Sequence, residues 1–197
     1  MRYCVIIFFA GVTIVGILGC AGLTAGSSGS VESAPHQDAE AARASNAAGL
    51  MAMDAGKLDE AERAFRKAVD SDLTYGPAHN NLGRLLYRQG KLYLSAWEFQ
   101  YAIRLMPDQP EPRNNLGLVL EAAGKTDEAL TEYDKALALG PDNAEIIGNL
   151  ARAHIRRGDD TPQIRDLMGE LVEKDTRQEW VNWAKQWLAL APKSPSS

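Results

Sequence analysis

The chain has 197 residues, 45% hydrophobic, 24% charged and 7% aromatic, the balance of a globular chain with one real core. Its formal charge of −5 and the lack of any basic run exclude a nucleic-acid binder, because affinity for a phosphate backbone comes from a surplus of Lys and Arg. The two cysteines, Cys4 and Cys20, lie in the first twenty residues, which excludes a disulfide framework or a cysteine metal site in the rest.

Met1-Arg2 is followed by an apolar run over 3–18 (YCVIIFFAGVTIVGIL) and then by Gly19-Cys20-Ala21-Gly22. A short positive start, an apolar stretch and small residues spell an export signal over 1–19, with Cys4 discarded along with it. Ile17-Leu18-Gly19-Cys20 resembles a bacterial lipobox. The resemblance implies a lipoprotein whose Cys20 carries acyl chains such as palmitate, each buried methylene contributing about 0.8 kcal/mol to membrane anchoring. Ala21 follows where an Asp would imply inner-membrane retention, so the resemblance implies an outer-membrane lipoprotein facing the periplasm. The other reading is an uncleaved membrane helix, since 3–23 just crosses a bilayer at about 1.5 Å per residue. The stretch 20–41 is the lipidated cysteine plus a linker of Gly, Ser and Ala, too poor in large apolar residues to order, and His36 within it is solvated.

Beyond the linker the chain repeats itself. Gly49, Gly83 and Gly117 are 34 residues apart, and Gly56, Gly90, Gly124 and Gly158 keep the same step. Phe65, Phe99 and Tyr133 form another column, Ala68, Ala102 and Ala136 a third, and Pro107 and Pro141 close two units. These residues resemble the tetratricopeptide repeat, a helix-turn-helix unit of 34 residues. The resemblance implies an all-α, right-handed α-solenoid with units at 42–75, 76–109 and 110–143 and a fourth over 144–174. In the first three, a first helix (77–89 in unit two) meets a Gly-Lys turn and a second helix (92–105). Gly83 and Gly117 admit a neighbouring helix, Gly90 and Gly124 supply the positive φ that ends a helix, and Phe99 and Tyr133 fill the gap between units.

Unit one is degenerate, with Ser45, Ala48, Ala52 and Leu73 at positions usually filled otherwise, so a loosely packed first helix is expected. Unit four departs after Gly158, where Thr161 is the expected N-cap, Pro162 the first helical residue, and 163–173 a second helix with Ile164, Leu167, Met168, Leu171 and Val172 on one face. Thr176-Arg177-Gln178-Glu179 reads as a capping box. Trp180, Trp183, Ala184, Trp187 and Leu188 then make one apolar stripe, so 175–191 is a helix covering the open end of the array. A partner site on the tryptophans is the other reading. The tail 192–197 is expected to be disordered.

No catalytic spacing appears outside the repeat columns, and neither a cofactor nor a metal is expected, so the chain reads as no enzyme. Gly124-Lys125-Thr126 imitates the end of a phosphate-binding loop, but Val119 stands where its first glycine belongs. His79 and His154 fill core positions, and Asp159-Asp160 makes a turn.

In tetratricopeptide arrays the first helices line a concave surface. Carried over by position, that surface holds Asn80, Asn81, Asn114, Asn115 and Asn149, a ladder of carboxamides able to hold both N–H and C=O of an extended peptide. Arg84 and Arg88 share a helical face, Arg152 and Arg156 repeat the pair two units on, and Leu118 and Ala122 lie between. Two basic rungs around an apolar one suit a segment with acidic residues or a terminal carboxylate flanking an apolar anchor. Solvated arginines, and asparagines that bond only neighbouring helices, are the alternative. Tyr93, Trp97 and Tyr101 recur on a face of unit two that is usually charged, a second interface for a partner or for self-association unless the linker covers it. The expected partners are thus a protein or peptide ligand and the membrane, reached through the N-terminal lipid. The expected role is a protein-binding scaffold, similar to type IV pilus pilotins and tight-adherence pilus assembly lipoproteins. An adaptor for cell-wall hydrolases or proteases, or a structural self-associating envelope protein, is the alternative.

Overall fold

The computed structural model describes residues 37–159 and 161–191. The signal over 1–19, Cys4, Cys20, His36, most of the linker, Asp160 and the tail 192–197 lie outside the described residues. Within them the chain forms α1 (Ala39–Asp54), α2 (Leu58–Ser71), α3 (Gly76–Arg88), α4 (Leu92–Leu105), α5 (Glu111–Ala122), α6 (Thr126–Leu139), α7 (Ala144–Arg157), α8 (Pro162–Lys174) and α9 (Gln178–Leu190), with no strand among the described residues. Each helix packs on its neighbours in the chain, and the first helices also touch one another, α1 on α3, α3 on α5 and α5 on α7. This is an all-α solenoid.

Turn chemistry sets the pairing. Gly56, Gly90, Gly124 and Gly158 take φ of 72°, 72°, 77° and 88°, a left-handed conformation that costs a residue with a Cβ about 1–2 kcal/mol. The amide after each glycine donates to the carbonyl five residues back, Lys57 to Ala52, Lys91 to Leu86, Lys125 to Leu120 and Asp159 to His154, so each first helix ends in the same closed loop.

Packing between paired helices rests on a ring over a glycine. A Cβ on Gly49, Gly83 or Gly117 would lie 2.5, 2.8 or 2.4 Å from Phe65, Phe99 or Tyr133, rings that are fully buried. Phe65 also meets Leu82, Leu85 and Leu86 of the next unit, and Phe99 meets Leu116 and Val119, so each ring joins two units.

Three expectations are corrected. The first helix of unit one is not loose, because Gly49 seats Phe65 and Asn46 is buried; it begins at Ala39, inside the expected linker, where Asp38 Oδ1 accepts from the Ala41 amide at 2.9 Å. Thr161 is the N-cap and Pro162 the first residue of α8, as expected, although the Thr161 side chain makes no capping bond. The capping box at Thr176 does not form either: Arg177 is the N-cap of α9, and Asp175 takes the Arg177 amide at 2.8 Å and its guanidinium at 2.6 Å. That guanidinium holds the Asp175 carboxyl below its usual range.

At the end of the array α9 covers α8 with Trp180, Trp183, Trp187 and Leu188 against the cluster of Ile164, Leu167, Met168 and Leu171. Trp180 seats on Gly148, where a Cβ would be 2.6 Å from the ring.

Candidate functional site

The first helices bring the five asparagines onto one side, but they bond one another. Asn81 Nδ2 donates to Asn46 Oδ1 at 2.9 Å, Asn115 to Asn80 at 3.0 Å and Asn149 to Asn114 at 2.9 Å. Each bond spans 35 residues, one repeat plus one step around the helix, and so clasps a unit to the next. Asn46, Asn81, Asn114 and Asn149 are buried, Asn80 and Asn115 half-buried. The expected role of Asn81, Asn114 and Asn149 as free donors to a peptide is therefore corrected: buried carboxamides need partners, and the next unit provides them. The clasp series stops where Gly148 takes the place of a fourth acceptor asparagine and Trp180 packs instead.

The two basic rungs differ. Arg152 Nη2 donates to Glu121 Oε2 at 3.3 Å and Arg156 Nη1 to Glu121 Oε1 at 2.7 Å, with the Glu121 side chain only 7% exposed. The same carboxylate accepts from the Tyr133 hydroxyl at 3.0 Å, and burial together with Glu121 pushes that phenol well above its usual range. Arg152 and Arg156 are thus committed within the chain, a correction to their expected freedom. Arg84 and Arg88 are exposed and form no ion pair among the described residues; Arg84 reaches only Asn81 Oδ1, at 3.5 Å. Leu118 turns toward the core of units three and four instead of presenting an apolar rung, and Ala122 is exposed.

A cavity of about 260 Å³ spans α3, α5 and α7, lined by Asn80, Arg84, Asn114 and Asn115 with Glu111, Asn143, Glu145 and Ile146. Further along, a cavity of about 270 Å³ is lined by Arg152, Glu179, Trp180 and Trp183. There the Arg152 guanidinium lies 5.6 Å from the Trp180 ring and Trp183 meets Trp180 edge-on at 5.6 Å. Hence the cap helix also lends two aromatic walls to the same array. Sequence reasoning missed Glu121, Asn46 and the acids Glu111 and Glu145. The signal for the clasps was the 35-residue offset of the asparagines.

His79 is buried and His154 half-buried, and both make specific bonds. His79 stacks on Tyr101 with ring centroids 5.3 Å apart, its Nδ1 2.7 Å from Glu98 and its Nε2 3.2 Å from the Leu73 carbonyl. His154 Nδ1 lies 2.6 Å from Asp159, whose carboxyl is held at about 2 by Arg157 and then His154. In the expected second interface, Tyr93 and Trp97 are exposed while Tyr101 is half-buried between His79 and Arg104. No group of three His, Cys, Asp or Glu side chains suited to a metal occurs among the described residues, and no helix there is long and apolar enough to cross a membrane.

Sequence models of the tetratricopeptide repeat match residues 30–72, 46–110 and 120–161. No curated protein sequence matches the chain. Among solved structures the chain is similar to the first tetratricopeptide-repeat domain of Spaghetti (RPAP3) bound to the HSP90 peptide SRMEEVD, with 23% identity and a TM-score of 0.61 over 64% of this chain and 100% of that one. It is similar to YrrB, a repeat protein with an unusual peptide-binding site, with 22% identity and a TM-score of 0.61 over 76% of each chain. A Thermobaculum terrenum O-GlcNAc transferase aligns with 26% identity and a TM-score of 0.65 over 69% of this chain but only 26% of its own length. These likenesses are to the fold.

Proposed function

The chain is a tetratricopeptide-repeat protein, and on that premise we propose that it is a protein-binding scaffold without catalytic activity, which holds an extended segment of a partner across α3, α5 and α7. The observation that carries the reading is the contrast between the basic rungs: Glu121 occupies Arg152 and Arg156, whereas Arg84, which lines the cavity across α3, α5 and α7, and Arg88 one turn further are exposed and enter no ion pair among the described residues. An acidic residue or terminal carboxylate of the ligand pairs with them, guanidinium to carboxylate being the strong form of such contacts. An aromatic or aliphatic side chain fits against Trp180 and Trp183, which with Arg152 and Glu179 line a cavity of about 270 Å³ that takes one large residue. The half-buried Asn80 and Asn115 keep amide capacity for the ligand backbone beyond their single shared bond. Of the neighbours of the same fold, the Spaghetti (RPAP3) domain holds a bound peptide and YrrB has a peptide-binding site, which agrees with this use.

The finer reading is a scaffold tethered at Cys20 to the outer membrane, facing the periplasm, and acting in pilus or secretion-system assembly. Its support is the lipobox-like run at 17–20 and the apolar stretch before it. Recruitment of cell-wall hydrolases or proteases uses the same groove and is the alternative.

The test is an array of synthetic peptides in which acidic and aromatic residues stand at set distances, probed with the wild type and with an Arg84→Glu/Arg88→Glu variant. Selection of acidic peptides by the wild type and loss of that selection in the variant is the expected result. Equal binding of both proteins contradicts the reading.

A further inference from the structure

Helix α4 departs from its neighbours on its outer face. The repeat aligns Asp59, Tyr93 and Asp127, then Glu60, Leu94 and Glu128, then Arg63, Trp97 and Thr131, in α2, α4 and α6. In α2 and α6 the acids suit the helix N-terminus and are solvated. In α4 the same positions leave Tyr93 79%, Leu94 46% and Trp97 50% exposed. Tyr101 continues the stripe one turn further, 5.6 Å from Trp97. The stripe carries no acid, because the single carboxylate of α4, Glu98, is tied to His79. An apolar patch of this kind calls for a cover.

We propose that the cover is a second copy of the chain, with α4 packed on α4 in antiparallel register about Trp97. A two-fold axis at Trp97 sets Tyr93 opposite Tyr101 of the other copy, and the repeat extends the register to both sides. The columns at 63, 97 and 131 are equivalent, so the same operation sets Asp59 opposite Lys67 on α2 and, on α6, Asp127 opposite Lys135, which within the chain already meet Arg157 at 2.8 Å and Glu132 at 2.6 Å. Asp59 and Lys67 are exposed and enter no ion pair among the described residues, which leaves both to cross the interface. The register also brings like charges near each other, Lys91 toward Arg104 and Arg63 toward itself. Lys91 is already bound by Glu62 at 3.2 Å, Arg104 lies 4.3 Å over the Tyr101 ring, and Arg63 has Glu60, which Lys57 also meets at 3.2 Å, one turn away on its own helix. The pairing goes beyond the groove reading and leaves the face of α3, α5 and α7 open.

The test uses the full chain in mild detergent, with Cys4→Ser and Cys20→Ser and one new cysteine per variant. Mild oxidation should link W97C to itself, and a mixture of Y93C and Y101C chains should link more than either alone. Ala138→Cys, exposed on α6 and off the axis, is the control. In sedimentation, Asp59→Lys should weaken the dimer about tenfold, two contacts changing per dimer, and adding Lys67→Asp should restore it. Trp97→Ala should abolish the dimer and leave peptide selection by the groove unchanged, so the two readings fail separately. A chain that stays monomeric at about 100 μM, far above useful Kd values, overturns the proposal, as does W97C linking no more than the control. Protection of the residue-97 thiol from maleimide by phosphatidylcholine vesicles, without linking, gives the stripe to a lipid surface and overturns it equally.

Discussion

The asparagine clasps predict a stability effect that separates a structural from a ligand-binding role. Asn114 Oδ1 accepts from Asn149 Nδ2 at 2.9 Å, and the two residues are 4% and 3% exposed. Asn114→Ala removes the acceptor and strands that amide where water does not replace it, at a cost of about 1–3 kcal/mol. Alanine returns up to about 0.7 kcal/mol in helix propensity, which leaves a net loss of about 1–2 kcal/mol. Urea unfolding followed by far-UV circular dichroism should show a midpoint lower by roughly 0.5–1 M at an unchanged slope. The double variant with Asn149→Ala should lose less than the sum of the singles, a coupling of about 1 kcal/mol. At the half-buried Asn80–Asn115 clasp the same change should cost under about 1 kcal/mol, because water can bridge there. An unchanged midpoint for Asn114→Ala, together with lost peptide binding, would refute the reasoning and return the amides to the ligand.

Gly117→Ala should lower the melting temperature: its Cβ would lie 2.4 Å from the Tyr133 ring, which cannot retreat without breaking its bond to Glu121. The expected net cost is about 1–2 kcal/mol, overpacking less the helix-propensity gain, and a rise in melting temperature would contradict the close approach. Glu62 is held at about 2, from an ordinary 4.5, chiefly by the Gln89 amide and then by Arg66 and Lys91. A depressed carboxyl stabilises the fold above its unfolded pKa, so stability should fall as pH drops from about 5 to 2. Glu62→Gln should flatten part of that fall in an acid titration, and an identical acid profile would count against the Glu62 network.

The array was legible because glycine and ring columns are imposed by backbone geometry and repeat with the unit. The second helix over 92–105 stands where the spacing placed it, and unit two's first helix begins one residue earlier than 77. The clasps were not legible from 34-residue columns, because a bond between adjacent first helices joins positions one step apart around the helix, Asn80 to Asn115 and not to Asn114. Glu121 was missed because a lone glutamate on a helix looks solvated; only the stacking of α7 on α5 brings Arg152, Arg156 and the Tyr133 hydroxyl to it. Asp175 displaced the expected capping box because its carboxylate reaches both the amide and the guanidinium of Arg177, a tertiary choice that local pattern does not rank.

The most direct measurement places a photo-reactive side chain at Arg88, one turn beyond the cavity-lining Arg84 on α3, and at Gln100, exposed on α4, in two versions of the full chain. Illumination with a peptide selected by the wild-type array should give a covalent adduct from position 88, competed by excess unlabelled peptide, and none from position 100. Adducts from position 100 with none from 88 would contradict the claim that the first-helix face holds the ligand.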